Sequence, residues 1–242
     1  MRIFKRKLYE KLLDWKNNRS GRTAVLIEGA RRVGKSTLAR QFAQNEYESY
    51  VMIDFSIVKK DILELFDSIA DLDYFFLQLQ FRLGVSLKER KSLIIFDEVQ
   101  MCPKARQAIK HLVADGRYDY IETGSLISIR KNVKDIVIPS EEEKMVLHPL
   151  DYEEFKWALG DTTTIAQMRM IFEKRLSMGD AVTRKLMRDF RLYMAVGGMP
   201  QAVCEYLENN NLMEVDRVKR GIIQLYEDDF YRIDQSGRIS ML

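Results

Sequence analysis

The sequence is poor in the residues that build cross-links and metal cages. Two cysteines, Cys102 and Cys204, in 242 residues cannot support a disulfide framework. Nor do they stand with the two histidines, His111 and His148, at the close spacings of a zinc site. All four are read as packing residues. No stretch reaches the ~18 uncharged apolar residues that a membrane-spanning helix needs, so no membrane partner is expected; the most apolar runs, such as Leu93-Ile94-Ile95-Phe96, are strand-sized. The opening MRIFKRKLYEKLLDW breaks its apolar positions with lysines and lacks the apolar run and cleavage site of a secretory leader, which predicts a cytoplasmic protein. An excess of one charge is missing too: 39 basic and 36 acidic residues leave +3, spread along the chain. A dedicated nucleic-acid binder concentrates its basic residues. The nearest approach here, Arg2, Lys5, Arg6, Lys7, Lys11 and Lys16, reads as the polar side of an amphipathic first helix.

What is present is an alternation of strand-like and helix-like segments, the pattern of a mostly parallel sheet covered on both faces. Strands are expected at 24–28, 50–55, 92–97, 118–123 and 144–148, with helices from Lys35 and over about 59–83, 104–114 and 126–135. The block Ser140-Glu141-Glu142-Glu143-Lys144 reads as an exposed turn. After Pro149 the β-branched runs stop and helix formers take over, with helices expected at 164–178, 183–196, 201–209 and 213–231. The expected organisation is therefore a core over 1–150 and a smaller helical part, a lid, over 151–242.

The motif that carries chemistry is Gly29-Ala30-Arg31-Arg32-Val33-Gly34-Lys35-Ser36, which fits G-x-x-x-x-G-K-[ST], follows an expected strand and opens an expected helix. A chain of this composition would match it by accident with a chance of roughly 0.4%. The glycines let the backbone turn sharply and aim successive N–H groups at phosphate oxygens beside a helix N-terminus. Lys35 supplies a charge to the β- and γ-phosphates, the Ser36 hydroxyl can ligate magnesium, and Thr37 is within reach of the α-phosphate. Arg31 and Arg32 lie in the variable part of the loop, facing phosphate, a carboxylate or water.

Leu93-Ile94-Ile95-Phe96-Asp97-Glu98 is an apolar strand ending in two acids. Acids at the C-terminal end of a central parallel strand emerge where ligands bind in open α/β sheets, so Asp97 suits magnesium and Glu98 suits a base that polarises water. The second acid favours hydrolysis over phosphate transfer to an acceptor. No Asn-Lys-x-Asp guanine motif occurs, which favours ATP over GTP. Thr123 or Ser125, at the end of the strand after Asp97, could sense the γ-phosphate, and Gln100 could assist; a serine N-cap or surface residue is the competing reading.

Together GARRVGKST, LIIFDEVQ, TGS, HPLDYEEF and YMAVGGMP resemble the bacterial and archaeal AAA-type P-loop ATPases that carry a C-terminal domain of unknown function numbered 4143. The resemblance implies a three-layer αβα sandwich of the additional-strand (ASCE, AAA+) type with a five-stranded sheet and a helical lid. It implies ATP or ADP with magnesium as ligands, and Gly198-Met199-Pro200 as a lid segment meeting the adenine end, so that Pro200 joins the candidate nucleotide contacts, a helix-breaking turn being the competing reading of the same residues. Asp151 to Phe155 would form the hinge, although Asp151 three residues before Glu154 equally spells a helix cap. The family chain runs on past the lid, so the C-terminal domain is expected to be absent or truncated here. A trans-acting arginine is left unassigned among Arg130, Arg184, Arg188 and Arg191, to be supplied in cis, by a second copy of the chain in a homo-oligomer or by an arginine-donating partner. The competing reading is a nucleotide-operated switch whose output is binding a partner, nucleic acid included.

Overall fold

The computed structural model of the chain describes residues 2–125 and 140–233; the helix expected over 126–135, and Arg130 with it, lie outside the described residues. The elements run α1 (Lys7–Asn18), β1 (Ala24–Gly29), α2 (Lys35–Glu46), β2 (Ser49–Asp54), α3 (Lys60–Leu65), α4 (Leu72–Leu83), β3 (Ser92–Asp97), α5 (Pro103–Asp115), β4 (Asp119–Ser125), β5 (Glu142–Leu147), α6 (Tyr152–Ala158), α7 (Thr164–Glu173), α8 (Gly179–Val196), α9 (Pro200–Asn209) and α10 (Leu212–Ile233).

Two compact units emerge. Of the described residues, the first holds 7–30, 34–125 and 140–148; the second holds 2–6, 31–33 and 149–233. In the first unit five strands form one sheet in the order β2-β3-β4-β1-β5, each neighbouring pair parallel. The strand after the acids thus sits between the acid strand and the loop strand. All six residues of β3 are buried, which is why its sequence is a continuous apolar run and not an alternation. Helices α3, α4 and α5 cover one face through Ile62, Leu65, Phe75, Phe76, Leu79, Ile109 and Leu112, packed on Leu26, Ile53, Ile94 and Phe96. Helix α2 lies against β1 to β4 on the other face, with α1 beside it. The molecule's first unit is therefore a three-layer αβα sandwich.

Two expectations need correction. The stretch 59–83 is not one helix: α3 gives way to a short 3-10 turn at Phe66–Ser68, and α4 restarts because the Asp71 side chain accepts the Tyr74 N–H at 3.0 Å as an N-cap. The acidic block at 140–144 is a turn only at Ser140 and Glu141, and the rest belongs to a strand. Glu142 opens β5 with a fully buried side chain, and Arg106 of α5 meets it with two hydrogen bonds of 2.9 and 2.8 Å. The helices expected at 164–178 and 183–196 fall at Thr164–Glu173 and Gly179–Val196; Pro103 stands in the first turn of α5 and Gly116 takes the left-handed conformation that ends it.

The second unit has its own core of Phe4, Leu150, Phe155, Val196, Ala202, Val203 and Val215. Asp151 caps α6: its carboxylate accepts the Glu154 N–H at 2.9 Å while Glu154 accepts the Asp151 N–H at 3.2 Å. Leu150 also donates its N–H to the Gly198 carbonyl at 2.7 Å, and the Tyr193 hydroxyl donates to the Leu150 carbonyl at 2.9 Å. The segments HPLDYEEF and YMAVGGMP are thus parts of one structural joint. A side chain at 198 has no room, since a Cβ there would lie 2.1 Å from the Leu150 oxygen.

Candidate functional site

The phosphate-cradling sequence spans the end of β1 and the start of α2. Gly29 closes β1, opposite Ser125 of β4 and Leu147 of β5. Arg32 and Gly34 both take positive φ, 65° and 100°, so the backbone alternates hand as an anion-binding nest requires. Gly34 also serves as N-cap of α2 and offers no side chain to the helix's first N–H groups. No acidic residue stands in that first turn. The positive end of α2 would favour an anion. The Lys35 ammonium turns back over the loop and donates to the carbonyls of Gly29 at 3.1 Å and Ala30 at 2.9 Å. Ser36 and Thr37 follow as the next residues of α2.

The acid strand meets this loop directly. Ser36 Oγ donates to Asp97 Oδ1 at 2.7 Å, and the Thr123 hydroxyl of β4 donates to the same oxygen. Asp97 is nearly buried, the last residue of β3, and stands in register with Asp54 at the end of β2. Glu98 follows at φ 53°, a left-handed conformation uncommon for a residue with a side chain. That turn brings its N–H to 3.4 Å from Thr123 Oγ1, and Gln100 Nε2 donates to its carboxylate. Ser36, Asp97, Glu98, Gln100 and Thr123 therefore form one connected cluster at the C-terminal edge of the sheet, with Lys35 preceding Ser36 on α2. Of the two sensor candidates, Thr123 reaches Asp97, whereas Ser125 ends β4 level with Gly29.

The donor set fits magnesium. A serine hydroxyl and a carboxylate are hard oxygen ligands, already neighbours, and they come from the two elements that flank a phosphate position. Among the described residues there is no cluster of three or more His, Cys, Asp or Glu that could hold a metal by itself. Phosphate and water oxygens would have to complete the shell, as magnesium prefers.

The other predicted residues fall in the second unit. Arg31 pairs with Asp229 at 2.6 Å, Arg32 donates to Gln201 at 3.1 Å, and Val33 is buried. Pro200 occupies the first turn of α9. The arginine candidates Arg184, Arg188 and Arg191 are all exposed on α8. Sequence reasoning missed Asp54, whose signal is an acid ending the apolar strand Tyr50-Val51-Met52-Ile53. It also missed Arg6 and Tyr226, which touch the loop backbone and carry no motif signal.

Residues 21–156, more than half of the chain, match the family described as AAA domain. Solved structures similar to the chain include the Aeropyrum pernix Orc1 protein in complex with DNA, at 14% identity and a TM-score of 0.41 over 64% of this chain and 46% of that one. They also include C. elegans PCH-2, at 14% identity and a TM-score of 0.41 over 91% of this chain and 65% of that one. The chain thus spans less than two thirds of either. No curated protein matches. Among the described residues no helix is long and apolar enough to cross a membrane.

Proposed function

The chain belongs to the AAA domain family, and from that premise we propose that it is a magnesium-dependent ATP hydrolase. The observation that carries the reading is the Ser36–Asp97 hydrogen bond of 2.7 Å. It joins a phosphate loop to an acid strand whose next residue is a glutamate.

In this reading the loop N–H groups and the Lys35 ammonium hold the β- and γ-phosphates and keep the leaving group and the γ-phosphorus in line. The Ser36 hydroxyl and the Asp97 carboxylate would hold magnesium, which would supply positive charge against the phosphate oxygens. Glu98 accepts a proton from water as the water oxygen bonds to the γ-phosphorus; the bond to the β-bridging oxygen breaks, leaving ADP and phosphate. Thr123 orients both acids, giving a hydrogen bond to Asp97 and taking one from the Glu98 backbone. Gln100 holds the Glu98 carboxylate in place. Adenine is preferred to guanine because the guanine motif is lacking. An arginine from a second copy or another protein completes the charge neutralisation, and the helical region from Tyr152 to Ile233 acts as the part that responds to nucleotide.

Glu98→Gln tests the reading. Nucleotide binding should persist within a fewfold while phosphate release falls by about 10²–10⁴. A Glu98→Gln protein that turns over at the native rate would remove Glu98 from the chemistry.

A further inference from the structure

The carbonyls of a phosphate loop have needs of their own. In a trans peptide the C=O and the N–H point in opposite directions, so an N–H aimed into the loop forces the carbonyl of the same peptide outward. An outward carbonyl requires a donor, or it leaves the peptide free to rotate.

Two side chains supply such donors, both within the second unit. The Tyr226 hydroxyl of α10 donates to the Arg31 carbonyl at 2.8 Å, fixing the peptide that carries the Arg32 N–H. The Arg6 guanidinium donates to the Val33 carbonyl at 3.0 Å, fixing the peptide that carries the Gly34 N–H. These two peptides flank the residues with positive φ, where an unrestrained backbone most readily flips. Arg6 is itself held. It is 6% exposed and its Nε lies 3.3 Å from Glu154, which also closes the cap of α6. A buried guanidinium can serve a carboxylate and a carbonyl at once because its donors form a rigid fork.

We propose that Arg6 and Tyr226 are positioning residues for nucleotide phosphate binding: they hold the loop peptides at 31–32 and 33–34 with N–H groups facing the ligand. The proposal rests on the phosphate-loop reading above. Arg6 and Tyr226 lie on opposite ends of the chain, so the loop's competence depends on segments that carry no phosphate contact themselves. Glu154 acts through Arg6 and connects the α6 cap to the same task.

Tyr226→Phe removes one hydroxyl and little packing, which makes it the primary test. Native protein, Tyr226→Phe, Arg6→Lys and the control Gln201→Ala are titrated with ATP and with pyrophosphate, each with magnesium, alongside thermal unfolding without ligand and steady-state kinetics. Gln201 accepts from the Arg32 side chain and not from a loop peptide, and the control should bind within twofold of native. Tyr226→Phe should weaken ATP and pyrophosphate by the same factor, about two- to tenfold, the range of one neutral hydrogen bond. Its KM should rise by more than its kcat falls, with a melting temperature lowered by about 1–6 °C, the range for one hydrogen bond in a chain of this length. Arg6→Lys, which keeps the charge and loses the fork, should show a loss of the same kind. Native affinity in Tyr226→Phe, or a loss that appears with ATP and not with pyrophosphate, would overturn the proposal while leaving the hydrolase reading intact. A native chain that binds neither ligand would sink both.

Discussion

Replacing Gly198 by alanine should be among the most damaging single-methyl changes in the protein. The added Cβ would lie 2.1 Å from the Leu150 carbonyl oxygen and 3.0 Å from that residue's backbone N and C. A relaxed carbon–oxygen contact needs about 3.3 Å, so backbone must move by more than ~1 Å. The neighbour is not a flexible side-chain tip. Separation would break the Leu150 N–H bond to the Gly198 carbonyl and disturb the Tyr193 bond to the Leu150 carbonyl. Each hydrogen bond contributes about 0.5–1.5 kcal/mol, and overpacking strain adds about 1–3 kcal/mol. The total is about 2–6 kcal/mol, which in a chain of this length lowers the melting temperature by roughly 4–24 °C. Gly221 provides the internal control, because it lies in α10 with nothing within 4 Å of the place an added methyl would take. Gly221→Ala should stabilise by about 0.8–1 kcal/mol through helix propensity. Differential scanning calorimetry of the three proteins, with amide exchange at Leu150, measures both. A Gly198→Ala protein melting within 2 °C of native, with Leu150 still protected, would refute the reasoning.

Three further outcomes follow from other parts of the structure. Burial raises the Glu122 carboxyl well above its ordinary value of 4.5, with the neighbouring Glu142 charge adding to the effect and Arg106 opposing it. Because the folded-state pKa is the higher one, the stability Glu122 contributes is full below about pH 4 and is lost as pH rises towards the folded pKa; relative to Glu122→Gln, native stability should fall by up to ~1.4 kcal/mol per pH unit above pH 4.5, read by urea titration. A constant difference between the two proteins across that range would contradict this. Arg106→Met strands the fully buried Glu142 and should cost about 3–5 kcal/mol in chemical denaturation, with much of the loss recovered in the double variant Arg106→Met, Glu142→Met. Thr123→Ala removes the hydroxyl shared by Asp97 and the Glu98 N–H; kcat should fall about tenfold or more with little change in KM, and unaltered kinetics would take Thr123 out of the site.

Strands β1, β3 and β4 were legible because they are short and almost wholly buried, so their apolar runs and strand-end residues announce them. That the loop at 29–36 joins β1 to α2 and that Asp97-Glu98 ends β3 beside it were legible for a related reason: glycine spacing and an acid pair after an apolar run are local patterns, which a sequence shows directly. What was hidden depends on distant partners. Glu142 looks like surface charge beside Glu141 and Glu143, and nothing near it reveals Arg106, 36 residues away. The break between α3 and α4 turns on whether one acid, Asp71, caps a helix or merely sits in one. Gly198 reads as a helix breaker, whereas its role is a close approach to Leu150 that no local pattern encodes. Arg6 and Tyr226 were invisible for the same reason, since their partners are backbone carbonyls, and a carbonyl has no residue identity to recognise.

Everything proposed for this chain depends on the loop at residues 29–36 binding ATP for hydrolysis. The most direct test is phosphate release with magnesium from ATP and from GTP, comparing the native chain with Lys35→Ala. The native protein should release phosphate from ATP in preference to GTP, and Lys35→Ala should release none above background. Equal rates in the two proteins, or no release and no nucleotide binding by the native chain, would contradict the hydrolase reading.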